Sequence, residues 1–233
     1  MNNSGEFVSH EGRKTDLDAR ITQNDIRSIY DSLSRIYNVW ATLTESRART
    51  RALELAEIKD GQTILEVAVG TGLAFYQIVE RNPHGRNMGI DLSPGMLSKA
   101  RKRLGKLKGG NYRLELGSAF NLPFENEEID LLLNNYMFDL IAFSQMDAIL
   151  AEFRRVLKKS GKLVLVNMTK GEGFGAGIYD RVFRLSPKTM GGCRGIRLSE
   201  RLTKNGFQVL SREYYQQMFF PSEVILARRE AGG

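Results

Sequence analysis

Apolar residues recur at helical spacing in Ile26, Ile29, Tyr30, Leu33, Ile36, Tyr37 and Trp40, which predicts a helix with one apolar and aromatic face. Thr42 and Glu45 have the spacing of a capping box and open a second predicted helix, running to about Ile58 and ending before Asp60-Gly61. Short apolar runs then alternate with helical segments. Thr63–Val69, Asn87–Leu92, Tyr112–Leu116, Ile129–Asn134 and Lys162–Met168 read as strands, several nearly all apolar, as strands covered on both faces are. Between them lie helical patterns at about Ala74–Arg81, at Pro94–Lys106 with Ser93 as N-cap and Pro94 at the first helical position, and at about Gln145–Lys158. Such alternation implies right-handed crossovers and an α/β fold: a doubly wound, mostly parallel sheet with helices on both faces. After the fifth strand a glycine-rich stretch, 171–177, leads through a basic segment to a short helix near Leu198–Lys204. Phe207–Arg212 and Glu223–Arg228 then read as an antiparallel pair at the sheet's edge.

The 233 residues suit one domain over 23–233, with a helical N-terminal cap at 23–58 and a substrate-side insert at 171–197, preceded by a polar tail at 1–22 that is expected to be mobile. One cysteine, Cys193, cannot form an intrachain disulfide, and with two histidines it leaves too few ligands for a structural zinc site, so no metal is expected. No run approaches the ~18 apolar residues of a membrane-spanning helix, and the first residues lack the apolar core of a secretory signal. A cytoplasmic location with at most peripheral contact with an anionic membrane is expected.

Lys and Arg number 34 against 27 Asp and Glu, a net charge of +7. The runs Lys99–Lys108 and Arg154–Lys162 read as wet faces and C-terminal turns of amphipathic helices, where cations complement the helix dipole. A third group, Arg181, Arg184, Lys188, Arg194 and Arg197, has no such account.

The chemistry concentrates in Glu66-Val-Ala-Val-Gly70-Thr71-Gly72, where the first strand turns into its helix, and in Asp91 at the end of the second strand. Paired glycines let the backbone turn sharply and approach a ligand while helix N-terminal amides point outward. Asp91, 21 residues after Gly70, is spaced to accept the hydroxyl hydrogens of a ribose. A dinucleotide fingerprint requires a small residue where Phe75 stands, and Glu66 would repel a pyrophosphate. A carboxylate there favours a cationic ligand instead, and S-adenosylmethionine carries an ammonium and a sulfonium.

These residues resemble the class I S-adenosylmethionine-dependent methyltransferases. Glu66, Gly70 and Gly72 match the family's acidic-x-x-x-Gly-x-Gly loop and Asp91 its ribose-binding acid. Leu92-Ser93-Pro94-Gly95-Met96-Leu97 is similar to its following turn, which implies that backbone at Leu92 and the Met96 side chain flank adenine. Gly117-Ser118-Ala119 and Leu122-Pro123-Phe124 are similar to its next conserved segment, with Ser118 where the family often has Asp for the adenine amino group. Asn135 resembles the residue that closes over the cofactor, and Thr71 lies within the loop. The N-terminal helix and the chain's ending look most like the ubiquinone/menaquinone-biosynthesis C-methyltransferases and their phosphatidylethanolamine N-methyltransferase relatives. That resemblance implies that Tyr30 and Tyr37 reach over the cofactor, Tyr30 near the chemistry; both also fit the buried stripe of their helix.

Methyl transfer from a sulfonium is an in-line displacement that needs positioning, and a general base only if the acceptor carries an acidic proton. Asp139, after the fourth strand, is the candidate base, and the same position suits a helix cap. Arg181, Arg184, Arg194 and Arg197 are candidates for an anionic substrate. The expected partner is a small or lipophilic acceptor, quinone-precursor or phospholipid-headgroup-like. Methylation of RNA or another anionic macromolecule is the second reading, weakened by the absence of aromatic and basic interleaving, and no stable nucleic-acid partner is expected. A non-catalytic or NAD-type nucleotide-binding protein is the third.

Overall fold

The computed structural model describes residues 47–169, 196–217 and 220–230. The tail at 1–22, the helix carrying Tyr30 and Tyr37, the capping box at Thr42 and Glu45, and most of the insert, with Arg181, Arg184, Cys193 and Arg194, lie outside the described residues.

Within them, helical residues 47–56 (α1) lead to β1 (Thr63–Val67), α2 (Leu73–Arg81), β2 (Arg86–Asp91), α3 (Pro94–Leu104), β3 (Tyr112–Leu116) and β4 (Ile129–Asn135). A 3-10 turn at Phe138–Leu140 precedes α4 (Phe143–Val156), β5 (Leu157–Met168), α5 (Ser199–Lys204), β6 (Phe207–Gln217) and β7 (Phe220–Arg229). The seven described strands form one sheet in the order β3-β2-β1-β4-β5-β7-β6. The pairs from β3 across to β5 are parallel, and β7 runs antiparallel to both β5 and β6. The sheet order reverses at β1, so the carboxyl ends of β1, β2 and β4 converge on a crevice, the usual ligand position in an open α/β sheet.

Near-continuous apolar strands bury both faces. Leu65, Val67, Leu132, Leu163 and Ile225 pack under α4 and α5, while Ile64, Leu131, Leu133, Val164 and Val224 pack under α1 and α2. Phe75 sits in the second core against Gly89 of β2, where an added Cβ would lie 3.2 Å from the ring. The small residue of this helix–strand contact is therefore on the strand, and the large one on the helix. Ser93 caps α3 by accepting the Met96 amide at 3.1 Å, and Pro94 holds the first turn.

Two boundaries differ from the sequence pattern. Helix α4 ends at Val156, because β5 already begins at Leu157, which pairs with Ile129 before a register shift. The final hairpin is longer than its apolar runs: β6 continues through Gln217, paired with Phe220, where the pattern shows a ten-residue connection. Its added residues, Glu213 to Gln217, lie on an edge strand, where polar side chains and aromatic rings replace apolar alternation.

Candidate functional site

The crevice has two lobes that share Ala68, Gly70, Asn135 and Tyr136. The larger, about 890 Å³ counted out to solvent, is lined by Asp91, Leu92, Met96, Ser118, Ala119 and Phe120 among others, and is mostly apolar. The smaller, about 350 Å³, is lined by Arg49, Glu66, Thr71 and Ala74.

The loop between β1 and α2 is built on left-handed backbone: Gly70 has φ +56° and Gly72 φ +77°. The two glycines do different work. At Gly70 an added Cβ meets nothing within 4 Å, so the missing side chain leaves ligand space. Gly72 caps α2 and lies away from both lobes, with an added Cβ 3.2 Å from Ala100 and 3.1 Å from Leu104. It lets α2 start close to α3. From α3, Arg103 Nε donates to the Thr71 carbonyl at 2.9 Å and braces the loop from behind.

Asp91 ends β2 with both oxygens on backbone amides: Oδ2 accepts Gly70 N at 2.7 Å and Oδ1 accepts Ser93 N at 2.9 Å. One carboxylate thus ties the glycine loop to the start of α3, and Asp91 also lines the larger lobe. Leu92, 38% exposed, and the buried Met96 line the same lobe, as do Ser118 and Ala119. Ser118 Oγ is engaged by the Phe120 amide at 3.3 Å.

Glu66 lies on β1, only 2% exposed. Its Oε1 accepts Asn135 Nδ2 at 2.9 Å, and its Oε2 finds no hydrogen-bond partner among the described residues. Burial pushes its pKa up to about 8, against the opposing pull of the Asn135 hydrogen bond and the Arg49 charge. Thr71 Oγ1 is likewise buried without a partner among the described residues. Arg49, on α1, lines the same small lobe, and its guanidinium makes no hydrogen bond to another described residue. Its neighbour Arg51 fixes the helix: Nε and Nη2 grip the two Glu213 oxygens of β6 at 2.8 and 2.9 Å.

The small lobe therefore presents one acid and one base, each without a hydrogen-bonding counterpart of its own for at least one polar group. That donor set fits a zwitterionic amino-acid end, and the adjoining larger lobe fits a nucleoside, the two halves of S-adenosylmethionine.

Of the sequence-predicted cofactor residues, Glu66, Gly70, Thr71, Asp91, Leu92, Met96, Ser118, Ala119 and Asn135 line the crevice. Tyr30 and Tyr37 lie outside the described residues. Asp139 lines neither lobe: it is fully buried within the 3-10 turn, with Oδ1 accepting Met168 N at 3.1 Å. Arg197 is exposed beside Ile196, whose amide binds Met168 O at the carboxyl end of β5; Arg181, Arg184 and Arg194 are not described. Sequence reasoning missed Arg49 and Tyr136. Arg49 carries no sequence signal, since Arg47 and Arg51 flank it on the same helix. Tyr136 stands beside Asn135 and has φ +54°, a conformation no residue pattern announces for tyrosine.

A family model described as a methyltransferase domain matches residues 64–161. The demethylmenaquinone methyltransferase of Thermotoga maritima is 33% identical over 157 residues, covering 67% of this chain and 64% of that protein's length. That of Thermus thermophilus is 31% identical over 160 residues, covering 69% and 70%. Among solved structures, the [4+2]-cyclase SpnF superimposes with a TM-score of 0.72 at 17% identity, over 91% of this chain and 97% of that one. The last likeness concerns the fold alone, and a cyclase on this scaffold shows that the fold does not choose the reaction.

Proposed function

Because the chain belongs to the class I S-adenosylmethionine-dependent methyltransferases, we propose that it transfers a methyl group from S-adenosylmethionine to a small lipophilic acceptor of the quinone-precursor type. The observation that carries the donor half is the pairing of Glu66 and Arg49 in one lobe beyond the glycine loop. Glu66 holds the ammonium and Arg49 the carboxylate of the amino-acid end. Asp91 accepts the ribose hydroxyls while Leu92 and Met96 flank the base. When bound, the cofactor supplies an electrophilic methyl group on a sulfonium. The protein's part is to hold it at the seam of the two lobes and to keep water out with the apolar wall of Met137, Leu140 and Ile141.

The acceptor half is supported by the two demethylmenaquinone methyltransferases. In this reading the basic side chains near the insert, Arg197 among them, attract an acidic acceptor or an anionic lipid surface, and Asp139 positions β5 rather than taking a proton.

The test uses labelled S-adenosylmethionine with a reduced 2-demethylnaphthoquinone and, separately, with phosphatidylethanolamine vesicles. Label in the quinol is expected. Label in the lipid alone, or in neither, overturns the acceptor assignment. Thermal stabilisation by NAD but not by S-adenosylhomocysteine overturns the donor assignment as well.

A further inference from the structure

Four residues line both lobes, and three of them have left-handed backbone: Ala68 with φ +59°, Gly70 with φ +56° and Tyr136 with φ +54°. For Ala68 and Tyr136 this conformation is strained in a way that a glycine would avoid. Tyr136 is the bulkiest of the four, and it is fastened at both ends. Its amide donates to the Val166 carbonyl at 2.6 Å, and its hydroxyl shares a hydrogen bond with Ser222 Oγ of β7 at 3.0 Å, both buried. The ring packs in the core under α1 and α2 with Val166, Met168 and Val224. A strained aromatic residue, tied down on both sides, thus stands at the seam of the crevice.

On the donor reading above, the amino-acid end occupies one lobe and the nucleoside the other. The atom that joins them is sulfur, so the seam is its place. We propose that Tyr136 is a binding residue for the sulfonium centre, its ring lying beside the positive sulfur and its hydroxyl held by Ser222 so that the ring keeps this position. An aromatic ring attracts an adjacent cation, and desolvation strengthens the attraction. The assignment explains why a tyrosine stands where backbone geometry favours glycine. It also gives the β7 hairpin a functional task, since Ser222 ties the antiparallel edge to the methyl donor.

The experiment compares calorimetric Kd values for S-adenosylmethionine and S-adenosylhomocysteine, which share the nucleoside and amino-acid ends and differ in the charge on sulfur. Tyr136→Leu is expected to weaken the sulfonium ligand about tenfold more than the thioether, the equivalent of roughly 1.4 kcal/mol of cation–aromatic attraction. Tyr136→Phe keeps the ring but loses the tether to Ser222, so it and Ser222→Ala are expected to shift that ratio alike, in the direction of the leucine variant but by less. Equal weakening of both ligands by Tyr136→Leu marks a purely structural role and overturns the proposal, as does an unchanged pair of affinities. Because the ratio compares two ligands on one protein, a loss of stability common to both cancels. Glu66→Gln is the control: it weakens both ligands alike, and failure of the wild-type protein to bind either overturns the donor reading itself.

Discussion

Asn135 Nδ2 on β4 donates to Glu66 Oε1 on β1 at 2.9 Å, across the seam where the two parallel strands end. The amide satisfies one carboxyl oxygen and leaves the other, Oε2, buried without a partner among the described residues. A carboxylate is desolvated there, and on the proposed reading the ligand's ammonium supplies the missing partner.

A proton-linked affinity follows. With its pKa pushed up to about 8, Glu66 holds a proton at neutral pH, and an incoming ammonium displaces it. The Kd of S-adenosylhomocysteine is expected to fall as pH rises from 6 toward 8, by up to about tenfold per unit, and to level off above the pKa. Calorimetry in buffers of different ionisation enthalpy should show proton release, which Glu66→Gln abolishes. For stability the sign is opposite to that of an ordinary ion-paired carboxylate. The folded state keeps the proton between the usual 4.5 and about 8, the unfolded chain does not, so stability declines as pH rises through that window. Glu66→Gln should flatten the decline of melting temperature between pH 5 and 8 while binding the cofactor poorly. An equally steep decline in the variant counts against the buried-acid account.

Arg49 is expected to recognise the carboxylate of the amino-acid end. Arg49→Gln should weaken S-adenosylhomocysteine by about ten- to a hundredfold, as expected for a lost charge-assisted hydrogen bond. It should leave 5′-methylthioadenosine, which lacks that end, within about threefold. A parallel loss for both ligands would mean that the substitution disturbs α1 rather than the contact. Glu213→Gln supplies the comparison, since it loosens the Arg51 clamp that holds α1 on β6 without touching the lobe.

The two glycines of the loop should separate by measurement. Gly70→Ala puts a methyl group into open crevice at φ +56°, so the protein folds with a loss of on the order of 1 kcal/mol and binds the cofactor poorly. Gly72→Ala adds a clash with Ala100 and Leu104 to the same backbone strain, so it should cost roughly 2–4 kcal/mol of stability. Urea unfolding gives the stability and thermal shift with S-adenosylhomocysteine the binding. The reverse ranking of the two variants in stability contradicts the packing account.

What could be read from the chain, and what could not, divides along physical lines. β1, β4 and the Leu163–Met168 part of β5 announce themselves because both faces are buried and few polar residues interrupt them. Glu66, Gly70 and Asp91 are readable because a tight turn and a ribose demand those types at fixed spacing. Arg49 is not, because a cation on a helix looks the same in sequence whether it faces solvent or a ligand. Asp139 was readable as an acid at a strand end, yet its two tasks, base or brace, differ only in whether it meets the crevice or Met168 N, a matter of side-chain direction. The second half of β6 was hidden because an edge strand with one exposed face tolerates Glu213, Tyr214 and Gln216.

The far face of the sheet carries another buried acid, at the base of the insert. Glu223 of β7 is fully buried, and its Oε1 accepts Asn167 Nδ2 at 2.8 Å and the Leu198 amide at 3.4 Å. Its Oε2 meets Arg212 Nε at 2.5 Å and Thr169 Oγ1 at 3.5 Å. Thr169 and Leu198 flank the insert in sequence, so this one side chain joins both of its ends to β7. Glu223→Ala removes the acceptor that Arg212, Asn167 and the Leu198 amide share, and should cost about 3–5 kcal/mol in urea unfolding. Replacing the pair together, with Glu223→Met and Arg212→Met, removes the guanidinium along with its carboxylate and should recover part of that loss. Full recovery is not expected, because Asn167 and the Leu198 amide still lack their acceptor. If the double variant were no more stable than Glu223→Ala, the cost would lie in the lost amide contacts and not in the broken ion pair.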